Sequence, residues 1–158
     1  MPGNIPNEYL ITQVMTATPQ KLHLMLIEAA LRQCERTRRL WRESQDDVAG
    51  ESLAKAQEIL TELLASLDYA THPDLVRRIA SVYLFVFRSL VTAQVRRNES
   101  SLADAVRLLE IERETWRQIV QKDSASTSSA PHTAHAPHPV PAPTRWIDVP
   151  SSSISFEA

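Results

Sequence analysis

The chain has 158 residues, 43% of them hydrophobic, and a formal net charge of −2. That length holds one domain with a proper core, or a smaller domain followed by a tail. The near-neutral balance argues against nucleic acid, whose binders need a strong positive field, and the single cysteine, Cys34, excludes an internal disulfide framework and suits a reducing cytosol.

Composition favours the domain with a tail. Six of the ten prolines (Pro131, Pro137, Pro139, Pro141, Pro143 and Pro150) lie beyond residue 130 in a Ser/Thr/Ala/His/Pro mixture. Such a stretch buries too little apolar surface to offset its ordering entropy, so residues 123–158 are expected to be a disordered tail. Residues 1–122 carry sixteen Lys or Arg and sixteen Asp or Glu. The run Arg36, Arg38, Arg39 and Arg42 alternates with Glu35 and Glu43, the pattern of a solvated helix face. No basic start followed by an apolar run supports a signal peptide, and no run of 18 apolar residues spans a membrane, so a cytoplasmic location is expected.

Residues 1–16 come first and contain Tyr9, Leu10, Ile11, Val14 and Met15, apolar but with no long period. They read as a short N-terminal capping segment. The first long helix opens at Thr18-Pro19, an N-cap followed by proline at the first helical position, and runs to about Arg42. Leu22, Leu26, Ala29, Ala30, Thr37, Leu40 and Trp41 share one of its faces. Residues 44–47 and Gly50 separate it from a second helix, where Leu53, Ala56, Leu60, Leu63, Leu64 and Leu67 recur at spacings of three and four. A third starts near Thr71-His72-Pro73-Asp74, with Leu75, Ile79, Val82, Tyr83, Val86, Leu90 and Ala93 inward. The fourth follows Asn98, where Ser101 and Asp104 resemble a capping box, and ends near Lys122. Its inner residues are Leu102, Ala105, Val106, Leu109, Trp116 and Val120. Strand-like alternation is absent, and short connections make successive helices antiparallel. The fold is therefore expected to be all-α, an antiparallel up-down four-helix bundle over residues 17–122.

One bundle does not use all of this apolar surface. A bundle helix needs a single apolar stripe on the order of 100° wide. Residues placed about 100° apart on the third helix give a second stripe of Ala80, Leu84, Phe87, Val91 and Val95, with Arg77, Ser81, Arg88 and Thr92 behind it. The first long helix has a similar excess in Leu24, Met25, Ile27 and Leu31. Large contiguous apolar patches are rarely left in water. The N-terminal segment, a second copy of the chain or an amphipathic partner helix are the three possible covers.

The chain resembles a known family, the flagellin-specific export chaperones, FliS. The likeness begins at Tyr9 and Val14-Met15-Thr16-Ala17-Thr18-Pro19, where that family has a Tyr and a T-A-[ST]-P start to its first long helix. It continues through Leu22, Leu24-Met25-Leu26 and Ala29-Ala30, then Leu53, Lys55-Ala56 and Ile59, and Leu63 with Ser66-Leu67-Asp68. Tyr83 falls at an L-Y tyrosine, Leu90 and Ala93 fit L-x-x-A, and Arg113 and Trp116 fit R-x-x-W. The sequence departs from the pattern at His72-Pro73 (often a glycine pair), Ile27 (commonly aromatic), Val82 (commonly Leu) and Glu112 (commonly apolar).

The resemblance implies a cytosolic chaperone that binds the disordered C-terminal region of flagellin, prevents premature polymerisation and delivers it to the flagellar type III export gate, without any cofactor. It implies partner-binding residues on the surplus stripes, namely Leu84, Phe87, Val91, Val95, Ala80, Ile27 and Leu31. Tyr9, Val14 and Met15 would then form an N-terminal cap over the groove, the alternative for Tyr9 being a staple on the first long helix. Thr18, Pro19, Leu26, Leu67, Tyr83 and Trp116 are expected to be structural. The competing reading is a homodimeric structural bundle with no flagellin-binding role, its stripes closed by a second copy.

Catalysis finds no support in the residues. No Glu-x-x-His pair of a di-iron bundle and no glycine-rich phosphate loop occurs, and Cys34 has no evident His partner. His23 and His72 read as ordinary histidines. His132, His135 and His138, spaced by three in the tail without cysteine, read as an accidental spacing and no metal site is expected. The tail ends in two apolar clusters, residues 145–149 and 154–156, that offer a docking segment after a polar spacer.

Overall fold

The computed structural model describes residues 7–128. They form five α-helices: α1 (Asn7–Thr16), α2 (Pro19–Arg42), α3 (Asp46–Ala65), α4 (Pro73–Arg96) and α5 (Glu99–Ser128). No strand occurs among the described residues. α2 packs against α3 and α5, and α4 packs against the same two helices, so α2 and α4 occupy one diagonal of a four-helix bundle. α1 packs extensively against none of them.

Local chemistry explains most boundaries. The Thr18 hydroxyl accepts the Lys21 N–H at 3.2 Å, and Pro19 takes a position whose N–H has no intrahelical partner anyway. Asp46 and Asp47 place negative charge at the start of α3, and Pro73 and Asp74 open α4. α4 stops at Arg97, held in the left-handed region at φ 48°, where its guanidinium bridges Asp46 at 2.9 Å and donates to the Trp41 carbonyl at 3.0 Å. One side chain thereby ties the ends of α2 and α4 to the start of α3.

Three expectations are corrected. The N-terminal residues form a helix of their own, giving five helices where four were expected. Gly50 lies inside α3 instead of separating it from α2, and a Cβ there would meet only Gln94 Nε2 at 3.9 Å, so the site has room for a larger residue. α5 is capped at Asn98, whose Oδ1 accepts the Ser101 N–H at 3.0 Å, and continues to Ser128 past the expected stop at Lys122. Residues 123–128 are thus helical, and the rest of the expected tail, with its three histidines, lies outside the described residues.

The core runs the length of the bundle through Ile27, Leu31, Cys34, Leu53, Leu60, Tyr83, Leu90, Leu102 and Leu109. Cys34 is fully enclosed, and burial pushes its thiol up to about 12, which makes it an inert apolar filler. Truncating a residue of this core leaves a cavity as well as losing buried surface. Leu60→Ala is expected to cost about 2–5 kcal/mol, whereas Val95→Ala on the exposed side should stay within about 0.5 kcal/mol of the parent. Urea unfolding of the two variants checks the contrast.

Candidate functional site

Two apolar surfaces stand open on the four long helices, apart from the exposed side chains of α1 and the separate Tyr69, Phe85 and Ile111. The first is a row along α4. Ala80, Phe87 and Gln94 are spaced by seven and so share a face. Gln94 reaches α3, accepting from Gln57 Nε2 at 2.7 Å and donating to the Gly50 carbonyl at 3.1 Å. That face therefore lies along the α3–α4 seam. Moving around α4 away from the seam, Phe87 and Val91 are half-buried, while Leu84 is 43% and Val95 77% exposed. The row is open to solvent, and its polar neighbours Arg77, Ser81 and Arg88 are exposed behind it.

The other three residues expected on partner-binding stripes do not belong there. Ile27, Leu31 and Ala80 are buried by the protein's own helices. The 100° stripe undercounts here because α2 and α4 each touch two neighbours, which widens the buried arc and takes in residues beside the inner face. The N-terminal cap also differs from expectation. Tyr9, Val14 and Met15 are exposed, as are Leu10 and Ile11, and α1 covers neither the row nor the seam. Among the residues expected to be structural, Thr18 and Pro19 start α2, Tyr83 is fully buried, and Leu26, Leu67 and Trp116 are half-buried against the core.

The second surface is a cleft at one end of the bundle, and sequence reasoning did not find it. It encloses about 560 Å³ between the start of α2 (Leu22, His23, Leu26), the α3–α4 connection (Leu67, Asp68, Thr71, His72), the start of α4 (Leu75, Val76, Ile79) and Trp116 of α5. Its origin is an axial offset. His23 Nε2 lies 2.6 Å from the Tyr83 hydroxyl, across the diagonal. Tyr83 is ten residues into α4 but His23 only four into α2, so at 1.5 Å per residue α4 begins about 9 Å further out. The first turns of α4 pass beyond the helix that would have covered them, which leaves Leu75 56% exposed. The visible signal was the apolar set Leu75, Val76 and Ile79 directly after His72-Pro73, but without the offset it reads as core.

His23 and Trp116, which line this cleft, belong to a small polar cluster that continues inward to Tyr83 and Glu112. Trp116 stacks on His23 with ring centroids 4.0 Å apart, and the Tyr83 hydroxyl stands 3.5 Å from Glu112 Oε2. Burial disfavours charge on the imidazole and lowers His23 from its usual 6.5 to about 4. Burial likewise raises Glu112, and burial together with the Glu112 charge raises Tyr83. Glu112, a departure from the family pattern, thus sits where it can accept from the tyrosine. At the rim, Asp68 is held below the usual carboxylate range by the Thr71 hydroxyl at 2.7 Å and the Ala70 N–H at 2.9 Å, and stays ionised. No group of three or more metal-ligating side chains occurs among the described residues, and no helix among them is long and apolar enough to cross a membrane.

A bundle that leaves an apolar row and an end cleft open agrees with what comparison shows. The sequence model of the family described as flagellar protein FliS matches residues 3–123. The chain belongs to the FliS family. That is a family of flagellar secretion chaperones and not of enzymes. The flagellar secretion chaperone FliS of Salmonella typhimurium is 33% identical over 117 residues, 73% of this chain and 86% of that protein. That of Bacillus subtilis is 29% identical over 122 residues, 75% of this chain and 90% of the relative, and that of Escherichia coli 26% over 112, covering 70% and 82%. Both surfaces fall within the part that matches the family.

The pH dependence of stability follows from this buried cluster. Because His23 in the fold resists protonation down to about 4 while the unfolded imidazole titrates near 6.5, the unfolded state takes up the proton first. This contribution is present above pH 6.5 and is lost as the pH falls toward 4. Glu112 acts oppositely, since the native state takes its proton first, but a variant at His23 leaves that part common to both proteins. The stability of the parent relative to His23→Gln is therefore expected to fall between pH 6.5 and 4, as read from urea midpoints. A pH-independent difference would contradict the account.

Proposed function

We propose that this protein is a cytosolic flagellar export chaperone that binds the disordered C-terminal region of flagellin, keeps it from polymerising early and delivers it to the flagellar type III export apparatus. The observation that carries the reading is the open row Leu84, Phe87, Val91 and Val95 on α4, together with membership of a secretion-chaperone family. These four positions follow spacings of three and four, so they form one continuous strip about 17 Å long at 1.5 Å per residue. A strip of that length takes the apolar face of an amphipathic helix of about three turns, anchored at matching spacings.

The physics suits a client that must be held and then released. An unstructured client segment that orders on the strip spends several kcal/mol on ordering, which makes the interface large but reversible. A segment whose apolar face is occupied here is unavailable for packing into a filament. The chaperone needs no chemistry of its own for this, and no cofactor is invoked.

A second copy of the chain lying on the same strip is the competing occupant, and one experiment separates the two. The parent protein is expected to form a 1:1 complex with full-length flagellin and none with flagellin lacking its C-terminal region, by light scattering and co-purification. Leu84→Asp and Val95→Asp place charge on exposed positions without opening the core. Each should weaken that complex about tenfold or more, a change of roughly 1.4 kcal/mol, with unfolding midpoints near the parent's. A tight dimer that ignores flagellin, and that the same substitutions dissociate, would establish the structural-bundle reading instead.

A further inference from the structure

We infer that the end cleft is a docking site for this chain's own C-terminal segment, residues 145–156, which seats Trp146 and Ile147 between the start of α2 and the start of α4. The cleft itself is the first observation. It is lined by Leu22, Leu26, Leu67, Leu75, Val76 and Ile79, and its volume of about 560 Å³ lies within the range of sites that enclose small apolar groups. Nothing else in the described chain enters it. α1 is the nearest preceding element in sequence, yet its apolar side chains are exposed and it packs extensively against no other helix.

The place where the described chain stops is the second observation. Arg117 of α5 pairs with Glu28 of α2 at 3.3 Å, and the antiparallel course beyond that point brings residues 120–127 alongside residues 16–21. Ser128 therefore leaves the bundle at the same end as the cleft. From Trp116, which lines the cleft, to Ser128 is twelve residues of helix, about 18 Å. The spacer 129–145 has seventeen residues. As a flexible coil its r.m.s. span is roughly 23 Å, and as a proline-rich extended helix its reach is about 50 Å. Either covers the distance. A tether whose span matches the gap holds its segment at roughly millimolar effective concentration, so even a weak apolar contact is substantially occupied.

The composition of the segment supplies the third. The aromatic residues beyond Ser128 are Trp146 and Phe156, and Ile147, Val149 and Ile154 accompany them after a spacer whose one large aliphatic residue is Val140. Arg145 is the single Lys or Arg of residues 129–158 and directly precedes Trp146. The rim of the cleft carries the ionised Asp68, so seating Trp146 in the apolar floor brings Arg145 toward a carboxylate of opposite sign. The spacer bears no apolar pattern of its own and needs none, since it serves only as a tether.

The inference concerns the cleft and the tail alone and holds whatever lies on the α4 row. Its test uses the full chain carrying a nitroxide at Thr144→Cys, since the only other cysteine, Cys34, is buried with its thiol pushed up and does not compete for the label. The backbone amide signals of Leu75, Val76, Ile79 and Leu26 are expected to lose intensity from the nearby radical. That loss should disappear when Trp146→Ala and Ile147→Ala are added, and also in Leu75→Asp, which alters an exposed rim position. A mixture of isotope-labelled parent chain with spin-labelled unlabelled chain should show no loss. Unchanged cleft signals in the first sample overturn the inference. So does a loss that survives the Trp146 and Ile147 substitutions, a loss centred on α1 or on Leu84 to Val95, or a loss in the mixture, which would make a second copy the occupant.

Discussion

The 2.6 Å contact between His23 and Tyr83 is the constraint from which the rest of this structure follows. It joins two helices that face each other across the bundle diagonal, where apolar side chains would be the ordinary filling. Two buried polar groups meeting there must satisfy one another, because each would otherwise bear its desolvation cost alone. That requirement sets the level at which α2 and α4 pass, and the level leaves the first turns of α4 beyond the start of α2. Thr18 and Pro19 prevent α2 from growing backward to cover them: the cap ends the helix and the chain turns away into α1. The end cleft is therefore a consequence of a buried hydrogen bond and a helix cap taken together.

The molecule keeps the residues that hold it together apart from those it leaves open. Leu53, Leu60, Leu90, Leu102 and Leu109 are enclosed by all four long helices, while Leu84 and Val95 contribute little to that enclosure. Exposed Arg77, Ser81 and Arg88 lie behind the row, with Phe85, 51% exposed, among them. Around the cleft the division is less complete, since Trp116 both covers His23 and lines the open surface. Changes there touch the stability of the fold and the shape of the open surface together.

Glu112 illustrates how a departure from a family pattern finds a physical setting. An apolar residue at this position would face the tyrosine hydroxyl without bonding to it. The carboxylate stands 3.5 Å from that hydroxyl, half-buried, and burial raises its proton affinity. The cluster around Tyr83 thus contains one imidazole that resists protonation and one carboxyl that welcomes it, and their opposite pH responses partly cancel in the whole protein.

Much of the architecture was legible in the order of residues. Apolar spacings of three and four, Thr18-Pro19, Pro73-Asp74 and short connections specify helices and their antiparallel order, because these signals act within a few residues of one another. The resemblance carried by Tyr9, Thr18-Pro19, Tyr83 and Trp116 pointed to the family, and Leu84 and Val95 were legible as surplus because a helix wheel is a local object. What the chain order does not contain is how many neighbours each helix has and at what height they meet. For that reason Ile27, Leu31 and Ala80 were placed on the surface when two-sided packing encloses them, and Leu75 was placed in the core when the offset of α4 exposes it. Periodicity determines which residues share a face of a helix. Only the packed bundle decides which faces are covered, because coverage depends on contacts between residues sixty positions apart, such as His23 and Tyr83.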